Sequence, residues 1–152
     1  MFGGSVFYVA SVSRFSVFRF TSPVLPYLQP MKRFLLYLMA VLYIAAGVNH
    51  FWHTAMYQSI MPPYLPWPLQ LVYISGVFEI LFGLLLLPKP TRRLAAAGII
   101  FLLVAVFPAN VQMAVNYARE HNPHLWVAIL RLPLQGVLVW WAWGYYNVKR
   151  QT

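Results

Sequence analysis

Four apolar segments, each about 20 residues long, constrain the fold of this chain more than any other feature of its sequence. A helix needs about 20 apolar residues to cross the hydrocarbon core of a bilayer. The sequence has such segments at roughly residues 34–51, 69–87, 94–115 and 125–146. It therefore predicts an all-α fold, a four-helix transmembrane bundle.

The charge content points the same way. Only 9% of the residues are charged, whereas a soluble domain has about 25%. A surface so poor in charge is suited to lipid, so we expect the lipid bilayer to be the main partner of the chain. The sequence contains no cysteine, which excludes thiol catalysis and thiolate metal sites.

Proline-rich connections separate the four segments. Residues 62–68 (PPYLPWP) contain four prolines, and Pro88 and Pro90 follow the second segment. Proline lacks the amide donor of a helix and clashes with the preceding turn. Pro123 stands just before the fourth segment. We therefore expect turns at these three places.

The distribution of positive charge predicts the orientation. The chain has 11 Lys and Arg residues against two acids, and pairs of bases flank the apolar segments. Basic residues concentrate on the cytoplasmic side of membrane proteins. The connection over residues 53–68 has no Lys or Arg, whereas residues 88–93 contain three. This pattern predicts that both termini are cytoplasmic, and it argues against binding of nucleic acid.

Residues 1–30 do not share the pattern of the remaining chain. They carry Arg14 and Arg19 in the middle of an apolar stretch, whereas a secretory signal places its charge first. Met31, followed by Lys32 and Arg33, resembles a natural start. We interpret residues 1–30 as a disordered extension or a misassigned start, with a helix on the membrane surface as the alternative. The transmembrane domain is predicted over residues 31–150.

A short set of polar residues falls inside the apolar segments. An ionisable group in the middle of a membrane helix costs about 2.5–3.5 kcal/mol on insertion scales. Such residues usually face the interior of a bundle and have partners there. The candidate pocket residues are Asn49, His50, Glu79, Asn110, Arg131 and Gln135.

The depth of these residues predicts that they meet. At a rise of about 1.5 Å per residue, all six fall in the outer half of the bundle. Glu79 and Arg131 have opposite charge at similar depth, so we expect them to be partners. One interpretation is a structural ion pair, and the other is an outward-facing polar pocket around Glu79 and Arg131. The four histidines, His50, His53, His121 and His124, have one nearby carboxylate, Glu120, and we predict no metal site.

Several motifs in order resemble the DoxX-like family of small bacterial four-helix integral membrane proteins. The likeness covers about residues 31–150 and excludes residues 1–30. The motifs are residues 46–51 (AGVNHF), 61–66 (MPPYLP), 75–83 (SGVFEILFG), 91–96 (TRRLAA), 107–113 (FPANVQM) and 131–135 (RLPLQ).

The resemblance implies a location in the bacterial inner membrane and a role near redox enzymes. The family takes its name from a subunit of a thiosulfate:quinone oxidoreductase. With no cysteine, this chain cannot run dithiol–disulfide exchange, and it has no C-x-x-C-H haem motif. We therefore expect an accessory subunit that contacts quinone or lipid, with quinone as the candidate cofactor and a membrane redox subunit as the candidate partner.

Two other classes of function stay open. A proton-coupled transporter of small molecules, like the small multidrug resistance proteins, also has four helices and one membrane glutamate, although Glu79 is in the second segment and theirs is in the first. A membrane enzyme that acts on a lipid or quinone head group would use Glu79 or His50 as acid or base and Arg131 to bind an anion. The sequence selects neither an enzyme nor a non-enzyme, and it sets no oligomeric state.

Overall fold

The computed structural model describes residues 25–147, and their side chains from residue 30 onwards. The predicted extension therefore lies largely outside the described residues. So does the basic pair Lys149 and Arg150, on which the predicted orientation of the C-terminus rests.

Five α-helices and no strand occur in the part of the chain that the structure describes. All except the second are long and apolar enough to cross a membrane. This confirms the predicted all-α, four-helix fold and fits a multi-pass membrane protein. The helices are α1 (Leu25–Trp52), α2 (Thr54–Ser59), α3 (Pro68–Leu85), α4 (Arg92–Arg119) and α5 (Leu125–Tyr146).

The helices differ from the predicted segments mainly in two helix ends and in one additional short helix. Helix α1 begins at Leu25, so the last residues of the predicted extension are helical. Helix α4 continues to Arg119, beyond the predicted end at residue 115. The short helix α2 was not predicted, because its six residues form no apolar run of their own.

Large apolar side chains cover the outside of the molecule. Phe101 and Trp140 are 72% and 76% exposed, and Val77 and Leu134 are more than half exposed. A water-soluble protein rarely exposes apolar patches of this extent. In a bilayer these side chains contact lipid tails, so the surface is consistent with membrane insertion.

Helices α1 and α3 approach each other closely at two glycines. A Cβ atom on Gly47 would lie 2.5 Å from the carbonyl oxygen of Gly76, and one on Gly76 would lie 2.8 Å from the Cβ atom of His50. Small residues allow membrane helices to pack backbone against backbone. The absence of a side chain at both positions therefore permits this contact.

Polar side chains donate hydrogen bonds to the backbone carbonyl groups at the end of α3. Leu85, Leu86 and Leu87 are near a helix end, where carbonyl groups lack amide partners within the helix. The Thr91 hydroxyl donates to the Leu85 carbonyl at 2.7 Å, and Arg92 donates to the carbonyls of Leu86 and Leu87 at 3.0 Å each. These bonds fix the tight turn that leads into α4.

The long helices form two pairs. Helix α1 packs along α3 and α4 packs along α5, and the pairs meet mainly through α3 and α4. One apolar cluster, which includes Met39, Leu86 and Ile99, joins the pairs at the end of the bundle that carries Lys32. A smaller cluster of Ile60, Met113 and Ala128 joins them at the opposite end, beside α2. We call these the Lys32 end and the α2 end.

We expect Gly47→Ala to lower the free energy of unfolding by about 1–3 kcal/mol, the usual effect of overpacking. The added methyl group would meet the backbone of α3, which cannot rotate away. Unfolding of the purified protein in detergent measures the change. Gly136→Ala is the matched control, because a Cβ atom there would have nothing within 4 Å. Equal stability of the two variants would contradict the close α1–α3 contact.

Candidate ligand-binding cavity

A cavity of about 810 Å³ lies between the two helix pairs. Ligand sites commonly have volumes of about 300–1,000 Å³ and mostly apolar walls with a few converging polar groups. Leu42, Phe78 and Leu138 contribute to the wall here, and all four long helices take part. The cavity therefore has the size and the kind of wall that bind an amphipathic molecule.

Five of the six predicted pocket residues line this cavity: His50, Glu79, Asn110, Arg131 and Gln135. The sixth, Asn49, reaches it through a neighbour, because its amide donates to the hydroxyl of Tyr57 at 2.9 Å, and Tyr57 lines the cavity. The structure thus brings the predicted polar residues together around one cavity, although Glu79 and Arg131 are not in direct contact.

Glu79 contacts His50 and not Arg131. The Nδ1 atom of His50 is 3.3 Å from Oε2 of Glu79. No ion pair joins Glu79 and Arg131 in the described part of the chain, so the expectation that they are direct partners was wrong. Depth in the membrane does not give the rotation of a helix, and side chains also lean towards the N-terminus of their helix. In the antiparallel pair α1–α3, His50 and Glu79 therefore lean towards each other.

Tyr57 is a site residue that the sequence analysis missed. Its ring stacks on His50 with the ring centroids 3.9 Å apart. The Oδ1 atom of Asn49 is hydrogen bonded to Nδ1 of His53 at 2.7 Å. Asn49, His53 and Tyr57 follow each other at intervals of four residues. That helical spacing is the signal that could have placed Tyr57 on the same face.

Side-chain amides of the helix pair α4–α5 form a hydrogen-bond network at the cavity. The Asn110 amide donates to Oε1 of Gln135 at 3.0 Å, and the Gln135 amide donates to the Leu103 carbonyl. The Leu103 carbonyl lies in the part of α4 just before Pro108, which is inside the helix. Gln135 therefore ties α5 to α4 at two points.

Arg131 has a weak partner. Its Nη1 atom donates to the sulfur of Met113 at 3.3 Å, and a thioether is a poor acceptor. Within residues 30–147 no carboxylate lies within ion-pair distance of its guanidinium group. Arg131 nevertheless lines the same cavity as Glu79 and His50.

Three buried polar atoms, on residues that line the cavity, have no hydrogen-bond partner among the residues that the structure describes. They are Oε2 of Glu79, the hydroxyl of Tyr43 and Nε1 of Trp141, and all three residues line the cavity. Buried polar groups are almost always hydrogen bonded in folded proteins. The wall of the cavity therefore contains an acceptor and two donors that lack a partner among the described residues, all three covered by neighbouring atoms.

Exposed residues of α3 and α4 form one side of the cavity. Ile74 and Phe78 on α3 and Phe101 and Ala105 on α4 line the cavity and are also exposed on the surface of the bundle. The two helices are in contact near the Lys32 end, where Phe82 packs on Gly98. We infer from these residues that the cavity opens sideways between α3 and α4, at a level that would face lipid in a membrane.

Two of the four histidines, His50 and His53, contact other side chains. Among the described residues, no group of three or more His, Cys, Asp or Glu side chains is placed to hold one. His50 contacts Glu79 and Tyr57, and His53 pairs with Asn49.

We expect Gln135→Leu to destabilise the protein by about 0.6–1.7 kcal/mol, the range of hydrogen bonds between membrane helices. The change removes both bonds from α5 to α4. Detergent unfolding of the purified protein measures it. Gln112→Leu is the control, because the side chain of Gln112 donates to Asn116 on its own helix. A loss no larger for Gln135→Leu than for Gln112→Leu would contradict the bridging role.

Comparison with known proteins gives a family and no function. Neither the curated proteins nor the solved structures include a match to this chain. The likeness to the DoxX-like family is not tested by these comparisons and stays a prediction. Residues 39–146 match a family described as a domain of unknown function, DUF8561. The matched range contains every polar residue of the cavity, and the chain belongs to this family.

Proposed function

We propose that this chain is an accessory subunit of a membrane redox system that binds a quinone or a lipid head group in its cavity. It resides in the bacterial inner membrane with both termini in the cytoplasm, as a DoxX-like protein would. The ligand's polar head lies among His50, Glu79, Asn110, Arg131 and Gln135, and its tail lies along the apolar wall.

The observation that carries this proposal is the composition of one cavity. Apolar residues form most of the wall of about 810 Å³, and five polar residues converge on it from both helix pairs. A water-soluble ligand would leave the apolar wall uncovered, and a purely apolar ligand would leave the polar residues without hydrogen-bond partners. An amphipathic molecule matches both.

The position of the opening supports the same class of ligand. The exposed residues Ile74, Phe78, Phe101 and Ala105 belong to helices that would face lipid. A molecule dissolved in the bilayer can enter between α3 and α4 without passing through water. Quinones and lipids are molecules of this kind.

The residue inventory favours binding over electron transfer by the protein itself. The chain has no cysteine, so a thiol cannot accept electrons. Redox chemistry would then take place on the ligand or in a partner subunit.

One contact favours a second candidate, a proton-coupled transporter of small molecules. Glu79 and His50 are 3.3 Å apart in the cavity, and such a pair can hold or pass a proton. If the chain is such a transporter, its expression should make a sensitive host resistant to a toxic compound, and Glu79→Gln should abolish that resistance. Unchanged resistance would remove this candidate.

We expect decylubiquinone, a short-chain quinone, to quench the tryptophan fluorescence of the purified protein in a saturable manner, since Trp141 lines the cavity. Ala105→Phe should weaken the binding by about tenfold, equivalent to about 1.4 kcal/mol, because the larger side chain would obstruct the opening. Ala118→Phe is the matched control on an exposed position of α4 away from the cavity.

Two results would contradict quinone binding in this cavity. One is quenching that rises linearly with quinone and does not saturate. The other is saturable quenching that Ala105→Phe and Ala118→Phe leave equally unchanged, which would place the quinone elsewhere.

The proposed orientation predicts a labelling pattern in intact cells. The chain has no native cysteine, so single cysteines can be introduced at exposed positions. A membrane-impermeant maleimide should label Tyr64→Cys in intact spheroplasts, and should label Pro90→Cys only after lysis. Both positions are exposed connections. The reverse pattern would place the termini outside the cytoplasm.

A further inference from the structure

We propose that the cavity selects a lipid with a zwitterionic head group, in which an ammonium group with N–H donors contacts Glu79 and a phosphate contacts Arg131. Phosphatidylethanolamine has this chemistry. The inference rests on the proposed function, since it takes the cavity to be a binding site, and it names the class of ligand.

Arg131 supplies the contact for the anion. Its guanidinium group carries five N–H donors, and the contact it makes within residues 30–147 is with the sulfur of Met113. Guanidinium groups bind phosphate through two parallel hydrogen bonds. A phosphate in the cavity would provide the anionic acceptor that Met113 does not.

Glu79 supplies the contact for the cation. Its Oε2 atom is buried and accepts no hydrogen bond. The neighbouring Nδ1 atom of His50 is 3.3 Å away and is hydrogen bonded to the Ala46 carbonyl at 2.9 Å. Glu79 lines the cavity, and the second oxygen of its carboxylate, Oε1, is the acceptor that we assign to an ammonium N–H.

The separation of the two charges sets the kind of head group. Glu79 lies on the pair α1–α3 and Arg131 on the pair α4–α5, and both line the same cavity without forming an ion pair. A purely acidic head group beside Arg131 would also face the carboxylate of Glu79, and a purely cationic one would face Arg131. A head group with both charges complements both walls.

The acyl chains have an apolar route out of the cavity. Phe78 and Phe101 line the opening between α3 and α4, and both are exposed where lipid would surround the bundle. A lipid with its head group between Glu79 and Arg131 can keep its tails in the bilayer.

Native mass spectrometry of the full chain in detergent tests the inference. The protein is incubated with phosphatidylethanolamine, phosphatidylcholine or phosphatidylglycerol that have the same acyl chains. Phosphatidylcholine keeps both charges but has no N–H donor, and phosphatidylglycerol has the phosphate alone. We expect phosphatidylethanolamine to bind about tenfold more tightly than either.

Two cavity variants and two matched controls assign the preference to the proposed residues. Arg131→Gln and Glu79→Gln should each reduce the preference for phosphatidylethanolamine to less than about threefold. Arg119→Gln and Glu120→Gln remove one charge of the same kind from exposed positions at the end of α4. These controls should retain the full preference.

Several outcomes would overturn the inference. Equal binding of the three lipids would show no selection by head group. Tightest binding of phosphatidylglycerol, strengthened further by Glu79→Gln, would indicate an acidic ligand. If a cavity variant fails to fold, the comparison of the three lipids on the unmodified protein still decides. Saturable quinone binding without head-group selection would overturn this inference alone, whereas retention of neither quinone nor lipid would also overturn the proposed function.

Discussion

The close contact between α1 and α3 at Gly47 and Gly76 is the constraint on which the arrangement of the bundle depends. Because neither residue has a side chain, the two backbones meet where a Cβ atom would overlap a carbonyl oxygen. This contact fixes the rotation of both helices about their axes. It thereby sets His50 and Glu79 side by side, 3.3 Å apart, at the wall of the cavity.

Tight packing within each helix pair leaves a space between the two helix pairs. Helices α1 and α3 are packed against each other, as are α4 and α5, and apolar clusters join the two pairs at both ends of the bundle. The cavity lies between those clusters. Its polar groups divide accordingly, with Glu79 on one wall and Arg131 on the other. These two residues have opposite charges and line the same cavity without a direct contact. A dipolar molecule bound between them would contact both.

The sequence predicted the long helices well and their contacts only in part. Apolar runs bounded by proline specify a membrane helix locally, so the spans were recognisable without tertiary information. Helix α2 was missed because six residues in a proline-rich connection carry no such signal. Five of the six polar residues that were selected from their depth line one cavity. Depth does not give the rotation of a helix, however, and for that reason Glu79 was assigned to Arg131 when its neighbour is His50.

Two double-mutant cycles measure which residue is the direct partner of Glu79, because coupling energies report contacts between side chains. Glu79→Gln is combined with His50→Gln in one cycle and with Arg131→Gln in the other, and the free energy of unfolding of each purified variant is measured in detergent. We expect the coupling energy of Glu79 with His50 to be the larger of the two. A larger coupling of Glu79 with Arg131 would contradict it, since the two charges would then be direct partners and no cavity would separate them.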